Sequence, residues 1–362
     1  MALTNRQFYA VLGLQVSHSP STGYQFSSGN SGDNFIQSLQ RVQTVNDSFS
    51  VARQNLGQLG QLSILTKLIT EPPTVPLETS YYVADLSNER KLGFYVSGDQ
   101  SCLTNILNLS EADKNYFIVI APPGIDAIGW TGNYQTKYVT NGYLTSWSTE
   151  GAVGGIPTTT VGVQGFNWAT DTGSTARPLY GIDFANNALT TGVLFTLPTL
   201  SSGIANTVAA IRPSEITATF GSGVGLDMSD VKLQRYNISF NLNLENLNKL
   251  GSFFPYSKVP KFPVDVTASL TAYWGNLITG SLSNLLCNDV ESTVSVTLRQ
   301  PACLGQSAGA VAAQFTLLGA KLDSQSNTES YQDVASTVTL NFTSTIGGPN
   351  DTVHNFLMSG IN

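Results

Sequence analysis

Two histidines, His18 in "SHSPSTG" and His354 in "TVHNF", are the only imidazoles in 362 residues. Metal centres and hydrolytic triads usually draw on imidazole for a ligand or a base. Neither histidine has a second His, a Cys or a pair of carboxylates at ligand spacing, so the sequence predicts no metal site. "GSGVG" at 221–225 puts Ser222 in the second place and not at the centre of a G-x-S-x-G elbow. The same residues lack the third glycine of a dinucleotide fingerprint and read as a turn. "DSQSNTES" from Asp323 lacks the glycine and the terminal Glu spacing of an EF-hand and reads as a solvated hairpin tip. Any two of the 24 acids could flank a glycosidic bond, but nothing singles out a pair. Trp130, Trp147, Trp168 and Trp274 offer rings for stacking on sugars, or for packing in a core. The expectation is no catalytic, cofactor-binding or metal-binding residue, and a protein that is not an enzyme.

The elements that would carry any site are strands. Charged residues are 11% and apolar ones 41%, with Ser, Thr, Asn, Gly, Val and Leu dominant, a composition that suits pleated strands and polar turns. The predicted class is all-β with short helices. The length leaves room for two domains. Net charge is −7, and no cluster of Lys and Arg is present to grip phosphates, so tight nucleic-acid binding is not expected. "YFIVIA" at 116–121 is too short to cross a bilayer, and "FYAVLGLQV" is interrupted by Gly13 and Gln15 as a signal-peptide core, so neither insertion nor secretion by that route is expected. Cys102, Cys287 and Cys303 cannot pair fully within one chain and fit buried thiols in a reducing compartment.

One pattern is written twice. From Gln43 against Gln234 to Tyr82 against Tyr273, an ungapped offset of 191 leaves twelve of forty positions identical, where about three would arise by chance. Tyr236, Ile238, Phe240, Leu242 and Leu244 alternate with Asn237, Ser239, Asn241, Asn243 and Glu245, which reads as a half-buried strand. "NLGQLG" and "NLNKLG" place Leu three apart before Gly and predict a helical turn, then a Pro-closed loop and a second strand. A weaker echo links "TNGYLTS" from Thr140 to "LLGAKLDS" from Leu317. Two related β domains are expected, 1–200 and 201–362, with the boundary near residue 200.

The stretch "RQNLGQLGQLSILTKLITEPPTVPLETSYYVADLSNERKLGF" from Arg53 resembles the major tail tube proteins of long-tailed bacteriophages, as do "KNYFIVIAPPGIDAIG", "AIRPSEITATF" and "LGAKLDSQSNTES". That resemblance implies a β-sandwich or half-barrel in each domain contributing strands to a continuous inner β-barrel. It also implies rings that stack into a tube, assembled in a host cytoplasm and found in the virion tail. With two domains per chain, the ring would be a trimer with pseudo-sixfold symmetry. Partners implied are the chain itself, the tape-measure, tail terminator and baseplate or tip proteins, a sheath, and double-stranded DNA in passage. Asn237, Ser239, Asn241, Asn243 and Glu245 are candidates for the lumen wall, or for a solvent-exposed outer face. The alternative from a different class is a carbohydrate- or receptor-binding β-sandwich.

Overall fold

A computed structural model describes residues 12–18, 37–107, 112–122, 124–128, 134–173, 177–179, 182–183, 188–189, 193–195, 211–221, 233–255, 257–273, 291–301, 309–328 and 337–360. The protein is all-β. Two short helices, α1 (Ser87–Lys91) and α2 (Thr104–Leu107), and one 3-10 turn at Pro213–Glu215 are the helical elements among the described residues.

Fifteen strands join in one antiparallel network, and its pairings occur in two matching sets. In the first set β1 (Leu12–His18), which also carries the short β2 (Gln37–Ser38), pairs with β7 (Asp113–Ile120). β7 pairs with the first half of β8 (Tyr134–Ala152), whose other side takes β10 (Asn167–Gly173). The second half of β8 pairs with β9 (Thr158–Gly165), β9 with β6 (Val75–Tyr82), and β6 with β3 (Val42–Asp47). In the second set β15 (Ile216–Phe220) pairs with β20 (Ser292–Arg299), and β20 with the first half of β21 (Val311–Thr328), which also takes β23 (Asn355–Gly360). The second half of β21 pairs with β22 (Thr337–Ile346), β22 with β19 (Val264–Tyr273), and β19 with β16 (Leu233–Asn241).

The match extends to irregularities. The β3/β6 register shifts between Val42 and Thr44, and the β16/β19 register between Leu233 and Arg235, both 191 residues apart. β8 against β9 shifts between Leu144 and Ser146, and β21 against β22 between Leu322 and Ser324, at an offset of 178. Bulges re-aim side chains and set register, so their repetition means that the pleats of the two sets are in phase.

Two hairpins stand off this network. β4 (Arg53–Leu56) pairs with β5 (Thr66–Ile69), and β17 (Leu244–Leu247) with β18 (Ser257–Pro260). They replace the helical turns expected at "NLGQLG" and "NLNKLG". Gly60 at φ +88° and Gly251 at φ +84° are third residues of tight turns closed by Gln61 N–H to Gln58 C=O and Ser252 N–H to Lys249 C=O. A positive-φ glycine serves a helix end and such a turn equally, so the sequence signal was ambiguous. Two small ladders, β11 (Arg177–Leu179) with β14 (Val193–Phe195) and β12 (Ile182–Asp183) with β13 (Ala188–Leu189), precede residues 196–210, and the boundary expected near 200 lies outside the described residues.

The two sets meet where β16 pairs with the second half of β8, from Arg235 opposite Ala152 to Asn241 opposite Ser146. One hydrophobic core spans that joint. Trp147 of β8 is fully buried there and stacks on Phe240 of β16 at 5.6 Å between ring centroids. Phe315 of β21 and Phe356 of β23 lie 5.4 and 5.6 Å from the same indole. Alternation explains why one ladder serves both core and surface: β6, β9, β19 and β22 each bury every second side chain.

Candidate functional site: a polar sheet face with two open edges

The strands β3, β6, β9, β8, β16, β19, β22 and β21 follow one another as eight neighbours, counting only the second halves of the two long strands. One face is the core. The opposite face is built almost wholly of hydroxyl and amide side chains, as at Thr158 and Thr160 of β9, Thr267 and Ser269 of β19, and Thr337 and Thr339 of β22. Its charges among the described residues are Glu78, Glu150, Asp265 and the bulge residue Asp323 against Arg235 and Lys321.

Cross-strand contacts satisfy much of this polarity within the sheet. Thr44 Oγ1 and Ser80 Oγ are 2.6 Å apart, Ser239 Oγ and Thr267 Oγ1 are 3.0 Å apart, and so are Thr271 Oγ1 and Thr339 Oγ1. Asn341 Nδ2 donates to Ser324 Oγ at 2.9 Å, and Arg235 pairs with Glu150 at 2.8 Å. Such pairs stiffen neighbouring strands.

Of the five candidate wall residues, Asn237, Ser239 and Asn241 sit on this face of β16. Asn243 lies in the connection to β17, and Glu245 is on the β17–β18 hairpin, where its carboxylate is 3.5 Å from Lys261. The strand ends at Asn241, so the alternation runs on past the strand that it was read from.

Two strands of the run have one neighbour each among the described residues: β3 pairs only with β6, and the second half of β21 only with β22. Asp323–Thr328, expected as a hairpin tip, belong to this edge strand. Phe49, just past β3, is 62% exposed and lies 5.8 Å from Trp168. Asp47 accepts hydrogen bonds from Trp168 Nε1 at 2.8 Å and from Lys137 Nζ at 3.3 Å.

The second hairpin covers one end of the polar face. Leu244 and Phe254 pack on Tyr143 and Phe166, and Lys258 lies over both rings at 5.2 and 4.6 Å while donating to Gln164 Oε1 at 3.2 Å. Burial lowers the Lys258 amine to about 8. The first hairpin has no such seat: all eight strand residues are exposed, and Leu59 and Leu62 at its loop stand fully in solvent.

A buried polar cluster that the sequence did not flag lies behind β6. Arg41 pairs with Asp85 at 2.7 Å, and Tyr81 OH donates to Glu89 Oε1 at 2.9 Å. Burial pushes the Glu89 carboxyl up to about 7. Arg41 adopts a left-handed φ of 57°, and its guanidinium reaches Asp85, two residues ahead of α1. Only an acid inside "SNERK" marked this site in advance, and charged short helices are ordinarily surface.

Trp147 is core, so it is not available for stacking on a ligand. Trp130, Trp274, Ser222, Cys287 and Cys303 lie outside the described residues, and Cys102 is buried with its thiol raised by desolvation. His354 Nε2 is 3.0 Å from Glu291 Oε1. Among the described residues no group of three or more His, Cys, Asp and Glu is placed to hold a metal ion, and no helix is long and apolar enough to cross a membrane. No protein-family model matches the chain, and no curated protein matches it.

Proposed function

We propose that the protein is a self-assembling structural subunit whose copies close into rings that stack as the tail tube of a long-tailed bacteriophage. The observation that carries this reading is the repeated strand order with one joint inside the chain. β3 and β21, left open, are the counterparts of β16 and β8, which form that joint. A strand edge of this length is a template for pairing, and a heterologous contact whose rotation closes yields a ring.

Three copies would bring twenty-four strands into one barrel, well above the sixteen to eighteen at which a barrel already leaves an aqueous channel. The hydroxyl- and amide-rich face would then line the channel, and the aromatic core would form the wall behind it. A wall with four acids against two cations offers DNA no phosphate anchor, so a passing duplex slides. The sequence resemblance supports the same reading. Tape-measure, terminator and baseplate or tip proteins are the partners that such a tube would contact.

Negative-stain electron microscopy across a concentration series, with rotational averaging, tests the proposal. Three-fold rings or stacked tubes with a central channel are expected. Discrete particles without a channel at every concentration would sink it and favour a ligand-binding sandwich.

A further inference from the structure

The ring reading leaves open how one copy meets the next, and the internal joint supplies the address. Equivalent strands carry equivalent bulges, so each residue of the open edges has a counterpart within β8/β16. The offset of 191 takes Ser239 to Ser48, and the offset of 178 takes Ser148 to Ser326. Ser239 and Ser148 are directly opposite each other in the internal joint.

Resting on the ring reading, we propose that the second half of β21 in one copy pairs antiparallel with β3 of the next, with Ser326 opposite Ser48 and Gln325 opposite Phe49. The first hairpin then seats on the end of the neighbour's polar face, as the second hairpin does within the chain.

That seat is chemically different from the internal one. Tyr143, Phe166 and Asp113 correspond to Lys321, His354 and Glu291, the last two 3.0 Å apart. On the hairpin, Leu244 and Lys258 correspond to Arg53 and Lys67. Two aromatic rings beneath a buried amine thus become a carboxylate beneath two exposed cations. Glu291 is already 3.9 Å from Lys321, so Lys67 joins a shared carboxylate and does not face a lone charge. The occupant is a second copy of this chain because the counterpart hairpin occupies the counterpart seat, and because Leu62 stands fully in solvent in a single copy whereas its counterpart Phe253 on the seated hairpin is 43% exposed.

The test is oxidative cross-linking of the full-length S48C/S326C variant, read on a denaturing gel beside the wild type and an S48C/Q325C variant. Cysteines opposite each other on one face fall within disulfide reach, whereas neighbours along a strand point to opposite faces. A ladder of linked chains is expected from S48C/S326C, at least tenfold stronger than from S48C/Q325C or wild type. Sedimentation of K67E, E291K and the double swap K67E/E291K reads the hairpin. Each single change should raise the concentration for half-assembly several-fold, and the swap should recover most of it.

Rings that form without the S326C ladder, or that link equally through Q325C, overturn this register while leaving the ring reading standing. Assembly that is indifferent to K67E and E291K overturns the hairpin seat. A wild type that stays monomeric at every concentration overturns both readings. All substituted side chains are exposed or half-exposed, and thermal melts matching wild type verify that the variants fold.

Discussion

The joint between β8 and β16 and the pair of open edges at β3 and β21 are the same place in the repeat, occupied by different side chains. Inside the chain, Trp147 inserts among Phe240, Phe315 and Phe356. At the open edges the counterparts are Gln325, Phe49, Lys137 and Trp168, with Asp47 where the internal joint has the buried Ile238. A contact that never separates tolerates a fully apolar core, whereas an edge that stands in solvent in the free chain carries an amide and an ion pair beside its two aromatics. The difference marks one joint as part of folding and, on the proposed ring, leaves the other to form on assembly.

The sharpest way to break that distinction is at the indole. Trp147→Ala removes the ring at the centre of the internal joint and should cost about 3–5 kcal/mol of stability in urea denaturation. Gln325→Ala, its counterpart, should stay within about 0.5 kcal/mol of wild type. Equal losses would mean that the two places are not energetically different.

A somewhat smaller effect lies behind β6, the strand that holds the open β3. Glu89 is buried and its carboxyl is raised from 4.5 to about 7, so the folded state keeps a proton that the unfolded chain releases. Its contribution is full below pH 4.5, declines across pH 4.5–7 and is gone above, a change of about 3 kcal/mol. Glu89→Gln should flatten that decline and leave the protein more stable than wild type at pH 8, as measured by melts from pH 4 to 8. An unchanged slope would show that the carboxyl is ionised in the fold.

The hairpins allow a subtler comparison. With the Lys258 amine lowered to about 8, the folded chain loses that proton before the unfolded chain does. Stability should therefore rise between pH 8 and about 10.5, on the order of 2 kcal/mol, and Lys258→Met should remove the rise. The smallest effect on folding is expected at the edge itself: Phe49→Ala should leave the melting temperature within about 2 °C while raising the concentration for half-assembly several-fold by light scattering.

The repeat shows how far residues alone carried the argument. Identities such as Phe49/Phe240, Pro72/Pro263 and Tyr82/Tyr273 placed β3 over β16 and β6 over β19 in the register that the strands adopt. Alternation from Tyr236 to Asn241 separated the buried from the polar face of β16 correctly. Leu-x-x-Leu-Gly misled, because a turn of hairpin and a turn of helix place the same glycine at their ends. Glu89 escaped because no local pattern distinguishes a buried acid from a surface one. Its burial depends on Arg41 and Tyr81, 48 and 8 residues away.

By itself the sequence determined the strand class, the internal repeat and the inner and outer faces of β16, because those depend on residue identity, period and composition read directly along the chain. Only the tertiary structure decided which strands are neighbours. That β8 joins β16, that β3 and β21 each lack a second neighbour among the described residues, and that Trp147 is core all depend on pairings across tens to hundreds of residues. Such pairings are chosen by the packing of the whole chain, since any half-buried strand carries the same alternation and only the shared core distinguishes one neighbour from another.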